Sequence, residues 1–153
     1  VRALDRGDAD QLAYAHDLPL YPVSSLATIA YEASLTGVAG AHILAMIDAR
    51  MQQVYWGHFI QEFSGVTEQV TAAADIKLPT THPVILAGVG FETYAQQLPE
   101  VVQSQIVKQC VIFPHAKTMI RLVQSGHLKS VSAMDALPIY VRDQVTQGGV
   151  SRG

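Results

Sequence analysis

The sequence predicts an α/β fold, and three observations carry that reading. A five-residue apolar run, Ile43 to Ile47, leads into a polar corner at Asp48-Ala49-Arg50 and then an alternating run from Val54 to Ile60, the pattern of a β-hairpin. Two further apolar runs, Pro83 to Gly88 and Cys110 to Phe113, have the length of buried strands rather than helices. Segments with helical spacing separate them. Strands that pair locally and then alternate with helices give a mixed sheet flanked by helices.

Taken in order, Val1 to Asp10 holds Arg2, Asp5, Arg6, Asp8 and Asp10 without clean periodicity and reads as a solvated arm or frayed helix start. Leu18 to Val23 is short, apolar and bounded by prolines, so it reads as an edge strand or extended link. Ser24 or Ser25 then caps a helix whose positions Leu26, Ile29, Ala30 and Ala33 follow helical spacing, ended by Gly37 and Gly40. Ile43 to Ile47 is predicted to be covered on both faces. In the following strand Val54, Trp56, His58 and Ile60 share one face, and Tyr55, Gly57 and Phe59 the other. A third strand is placed around Gln69 to Ala72. Pro83 to Gly88 enters the turn Gly88-Val89-Gly90 and then a short helix from Phe91 to Leu98. After the Cys110 strand, Pro114 starts a helix with Ala116, Met119, Ile120 and Val123 on one face, closed by Gly126. Leu137 to Arg142 is extended, and a Gly/Ser tail follows.

Composition narrows the function classes. The chain has 153 residues, enough for a core without disulfide staples. Hydrophobic residues make up 49% and charged residues 15%, so some surface is expected to be apolar. The formal net charge is −3 and no Lys/Arg run occurs, which gives no electrostatic footprint for nucleic acid. The single Cys110 lies in an apolar run and reads as a buried, inert thiol; one cysteine excludes an internal disulfide and favours a reducing compartment. No signal peptide or spanning run is visible, so the cytoplasm is the expected location, without membrane association.

Motifs for chemistry are sparse. The six histidines, His16, His42, His58, His82, His115 and His127, never fall three or four residues apart, HExxH is absent, and Cys110 has no sequence partner; no metal site is expected. No G-x-S-x-G elbow occurs, and the Ser24-Ser25 hydroxyls are explained by helix capping. Asp48 and Arg50 could present charge at a strand end, but turn chemistry explains them better: Asp folds onto backbone N–H groups and Arg covers the hairpin edge. Gly88 and Gly90 form the one candidate phosphate loop, because glycines let N–H groups approach an anion at a helix start. The pattern stops at GxG, with Thr93 where a third glycine would stand.

Four ordered segments carry a resemblance. Ala45-Met-Ile-Asp-Ala-Arg-Met-Gln-Gln-Val-Tyr-Trp56 resembles the "IDAR-x-x-x-VYW" hairpin of the bacterial TsaB (YeaZ) family. Leu18-Pro-Leu-Tyr-Pro-Val-Ser-Ser-Leu26 is similar to its "LP-x-x-x-VS-[ST]-L" approach to a helix, Ala87-Gly-Val-Gly90 to its "GTG" or "GEG" turn, and Pro138-Ile-Tyr-Val-Arg142 to its "P-x-Y-[LV]-R". Asp48, Arg50, Tyr55, Trp56, Pro138, Tyr140 and Arg142 are then signature residues expected to be structural.

The resemblance implies an actin/Hsp70-like (ASKHA) fold related to ribonuclease H. It implies a cytoplasmic, non-catalytic subunit that binds and activates TsaD in threonylcarbamoyladenosine modification of tRNA. The ATPase TsaE is the third component, tRNA is met only indirectly, and a homodimer is expected. No cofactor is implied for this chain alone; ATP or ADP belongs to the complete complex. The older label of M22 glycoprotease homologue finds no protease machinery here. The alternative is a nucleotide-binding hydrolase or M22-type peptidase, with Gly88 and Gly90 at the nucleotide. The family's N-terminal lobe, with its "G-x-GS-[FY]-TG-[LV]-R" loop, is expected to be missing. Residues 1–17 read as a remnant of that lobe or its linking helix, and residues 18–153 as the C-terminal lobe, with a mobile tail over 144–153.

Overall fold

The computed structural model describes residues 6–135. Helix α1 spans Arg6–His16 and α2 spans Ser25–Ser34. Strands β1 (His42–Arg50), β2 (Gln53–Phe59) and β3 (Gln69–Thr71) follow, then β4 (Val84–Val89), helix α3 (Glu100–Gln105), strand β5 (Ile106–Val111) and helix α4 (Ala116–Gln124). The expectations for Val1 to Asp5 and for Pro138, Tyr140, Arg142 and the 144–153 tail lie outside the described residues.

The sheet order is β3-β2-β1-β4-β5. β1 pairs antiparallel with β2 and parallel with β4; β2 pairs antiparallel with β3, and β4 parallel with β5. The predicted mixed sheet is therefore present, and β1 is its centre. That position explains the unbroken run: Ile43, Leu44, Ala45 and Met46 are all buried, because each face of a central strand is covered.

Period-two alternation sorts the sheet residues into two layers. On one face Ile43, Ala45, Phe59, Ile85 and Ala87 pack beneath Leu26, Ile29, Ala30 and Ala33 of α2 and Leu122 of α4. On the other, Leu44, Met46, Val54, Trp56, Val84 and Leu86 pack against Ala73, Ile76, Phe91, Tyr94, Leu98 and Val102. The two faces predicted for β2 are correct, although Ile60 lies beyond the strand and is exposed. Ser24 is the N-cap of α2: its Oγ accepts from the Ala27 N–H at 2.9 Å and donates to Glu68 Oε1.

Several sequence expectations are corrected. The hairpin corner is Met51-Gln52, not Asp48-Ala49-Arg50; β1 continues through Arg50, with a register shift between Asp48 and Arg50. No α-helix occupies Phe91 to Leu98. A short 3₁₀ turn, Ala95–Gln97, stands there, and the helix comes later as α3, after Pro99, whose missing N–H is tolerated at a helix start. The last strand begins at Ile106 rather than Cys110 and forms one edge of the sheet. Consequently Cys110 is only half-buried, and Val111 and Phe113 are exposed. In α4 the buried residues are Thr118 and Leu122, whereas Ala116 is exposed and Met119, Ile120 and Val123 are half-buried. Thr118 turns inward because its Oγ1 donates to Glu32 Oε2 of α2 at 2.9 Å, which satisfies a polar atom at the helix–helix contact. The Leu18 to Val23 segment is a link with one antiparallel bridge, Leu20 to Val131.

Candidate functional site

The two ends of the sheet carry different groups. At the carboxyl ends of the parallel strands β1 and β4 lie Asp48, Gly88 and Gly90. Crevices at that end are where open α/β sheets take ligands. Asp48 Oδ1 accepts the Arg50 N–H at 2.8 Å and the Tyr94 hydroxyl at 3.0 Å. The carboxylate thus ties the register shift of β1 to the turn after β4. Burial raises the Tyr94 pKa first, and the hydrogen bond to Asp48 and its negative charge raise it further. Tyr94 stays a neutral donor there.

The glycines of this turn are set by space as well as conformation. Gly88 has φ of 144°, and a Cβ on it would lie 1.8 Å from the Met46 carbonyl oxygen. Gly90 has φ of 72°, and its Cβ would lie 2.9 Å from Asp48 Cβ. Both residues let the turn close over β1. The helix N-terminus that would complete an anion site behind them is replaced by the short 3₁₀ turn.

Of the other signature residues, Trp56 is buried, and its Nε1–H donates to Thr71 Oγ1 at 3.0 Å, locking β2 to β3. Tyr55 stands opposite Ile47 and packs at the margin of the α2-side core. Arg50 is exposed beside the corner. The structure therefore brings Asp48 and Gly90 together and holds Trp56 on the other edge of the hairpin.

At the opposite end of the sheet three histidines meet. His42 Nδ1 and His58 Nε2 are 2.9 Å apart. The His82 ring stacks on His42 with centroids 4.6 Å apart and planes 16° from parallel. Burial, then the proximity of His82, lowers the His42 pKa; burial, then His42, lowers that of His58. Next to His58 opens a groove of about 380 Å³ lined by Trp56, Val66, Thr67, Gln69, Lys77 and Pro79. This cluster is invisible to local spacing. Counting outward from the Met51-Gln52 corner would face Ala45 to His58; only the register shift between Asp48 and Arg50 sets Leu44 against His58 and places His42 diagonally beside it.

Tyr94 and Glu68 were also missed. Glu68 is held by Ser24 across a long stretch of chain, and its burial raises its pKa while the Ser24 hydrogen bond partly offsets this.

Comparisons with known proteins agree on one family. Residues 8–147 match the family model described as "TsaD: tRNA N6-adenosine threonylcarbamoyltransferase". The chain is 29% identical, over 92% of its length, to the tRNA threonylcarbamoyladenosine biosynthesis protein TsaB of Haemophilus influenzae. It is 31% identical, over 91% of its length, to the protein of that name from Escherichia coli. The chain spans 64% of the length of each of these relatives. Among solved structures, YeaZ from Pseudomonas aeruginosa superposes with a TM-score of 0.68 at 29% identity, covering 88% of this chain and 65% of that one. A second, described as an uncharacterized protein from Pseudomonas aeruginosa with similarity to peptidase YEAZ, gives 0.71 at 29% identity, covering 89% and 65%. The hairpin, the glycine turn that closes on it and these five likenesses converge: the chain belongs to the TsaB (YeaZ) branch of the TsaD family.

Proposed function

We propose that this chain is the C-terminal lobe of a non-catalytic TsaB-type subunit, which binds and activates TsaD in the threonylcarbamoyladenosine modification of tRNA. The observation that carries the reading is the engagement of Asp48. Asp48, expected to be structural, accepts both the Arg50 N–H and the Tyr94 hydroxyl and so braces the signature hairpin against the following turn. The names of the two TsaB relatives support the pathway. In this reading the chain needs no cofactor of its own, ATP or ADP enters with TsaE in the full complex, tRNA is contacted indirectly, the subunit forms a homodimer, and the assembly works in the cytoplasm. No helix among the described residues is long and apolar enough to cross a membrane.

The test is complementation of a TsaB-depleted bacterium by the full-length gene, with the modified nucleoside quantified in digested tRNA. Restored modification is expected; unchanged loss overturns the proposal. Co-purification of TsaD with the full-length protein reads the partnership directly.

One observation favours a second reading, a nucleotide-binding hydrolase: Gly88 and Gly90 stand at the carboxyl end of β4, beside the parallel strand β1. Calorimetric titration of the unaltered protein with ATP separates the two, and absence of heat at millimolar nucleotide ends the alternative. A Gly88→Val control is unsuitable, because a Cβ there collides with Met46 before any ligand is involved.

A further inference from the structure

We propose that His42 and His58, with His82 recruited as a third donor, bind one divalent first-row transition ion of the imidazole-preferring class, such as Zn²⁺ or Ni²⁺. The site lies at the end of the sheet remote from Asp48 and the glycine turn and does not depend on the function proposed above.

Register brings the ligands together. His58 pairs with Leu44, so His42, two residues earlier on β1, shares its face and lies on the diagonal. His82 leads into β4, which runs parallel beside β1 with Val84 opposite His42. The His42 N–H to the Pro83 carbonyl, 2.8 Å long, fixes the two backbones against each other.

The distance suits a metal. The two imidazole nitrogens are 2.9 Å apart. Two Zn–N bonds of about 2.0–2.1 Å at a tetrahedral angle span about 3.3 Å, so the rings need to part by only a few tenths of an ångström. An ion would replace the shared proton of a hydrogen bond that requires a neutral acceptor nitrogen.

Among the described residues no three metal-ligating side chains form a ready-made set. The His82 ring now lies face-on to His42 and must rotate to offer a nitrogen. It is exposed and just ahead of the strand, where rotation disturbs no core. The groove beside His58 gives solvent an approach to that ring. Lys77 lines the same groove and opposes a cation. These features describe an exchangeable site, not a structural zinc.

The experiment is calorimetric titration of ZnCl₂ and NiCl₂ into the full chain at mildly alkaline pH, beside side-chain NMR of the histidines. One saturable equivalent is expected, with shifts confined to His42, His58 and His82. His42→Gln and His58→Gln are expected to abolish the saturable heat, His82→Gln to weaken it, and Lys77→Met to tighten it. His115→Gln should leave it unchanged. Circular dichroism checks that each variant folds; for one that does not, the wild-type histidine shifts carry the decision. Absence of saturable heat in the wild type overturns the proposal. So does heat that survives in both folded variants, or shifts at His16, His115 or His127 instead.

Discussion

Met51 and Gln52 turn the signature hairpin with φ of 53° and 60°, and Arg50 before them has 64°. Two positive φ values in a two-residue loop are the geometry that Asn-Gly sequences serve. Side chains with a Cβ occupy this region at a cost of about 1 kcal/mol each. Met51 is 86% exposed, so it recovers nothing by packing. Met51→Asn with Gln52→Gly is therefore expected to stabilise the fold by about 1–2 kcal/mol, measured by urea denaturation; an unchanged midpoint would contradict the strain assigned to the loop. Gly88 is the reverse case. Gly88→Ala places a methyl against the Met46 carbonyl and is expected to cost about 3 kcal/mol or more, read as loss of cooperative unfolding or of soluble protein. Tyr94→Phe is expected to lower the melting temperature, because Asp48 loses its hydroxyl donor while the ring stays packed. These residues were unequally legible. Glycine at 88 and 90 announced a turn, but only the approach of β1 shows why each must be glycine.

At the scale of elements, β1 and β2 bring His42 to His58, and the loop carrying Glu68 meets the N-terminus of α2. Their protonation acts in opposite directions. His42 and His58 have pKa values below the ordinary 6.5, so the unfolded chain binds protons more readily, and stability present above that value is lost as pH falls through the folded values. Glu68 has a pKa above the ordinary 4.5, so its contribution is complete below that value and lost as pH rises through the raised one. His58→Gln should flatten the acid limb of a melting-temperature profile below pH 6.5. Glu68→Gln should raise the melting temperature at neutral pH, since the amide oxygen still accepts from Ser24 without the buried charge. Profiles that superpose on the wild type would remove both assignments. Elements were legible where one periodicity governed them, as in α2 and β2. α4 was read on the wrong residues because Thr118, polar by type, is drawn inward by Glu32. β5 was placed late because Val107, Lys108 and Gln109, which follow its half-buried first residue Ile106, are exposed and an edge strand needs no apolar run.

At the largest scale, the described residues form a five-stranded mixed sheet with α2 and α4 on one face and turns plus α3 on the other, the α/β lobe expected from the sequence. The likeness to YeaZ covers nearly nine-tenths of the chain, so packing as well as motif follows the family. At this scale the expected outcome is recovery of the tRNA modification by the full-length gene. Variants at Trp56 belong here too. Trp56→Ala removes a buried ring and leaves the Thr71 hydroxyl without its donor, and is expected to cost about 3–5 kcal/mol, seen as unfolding rather than as a specific loss of partner binding.

The α/β class, the central hairpin, the capped helix α2 and the family could be read from the residues alone, because these rest on local periodicity, turn residues and contiguous motifs. What the site residues touch emerged with the packing of the sheet. Asp48 became a brace when Tyr94 arrived from the turn after β4, and three scattered histidines became a cluster when β1, β2 and the approach to β4 came into register. Such contacts join residues far apart in the chain, and strand register, not spacing along the sequence, sets which of them meet.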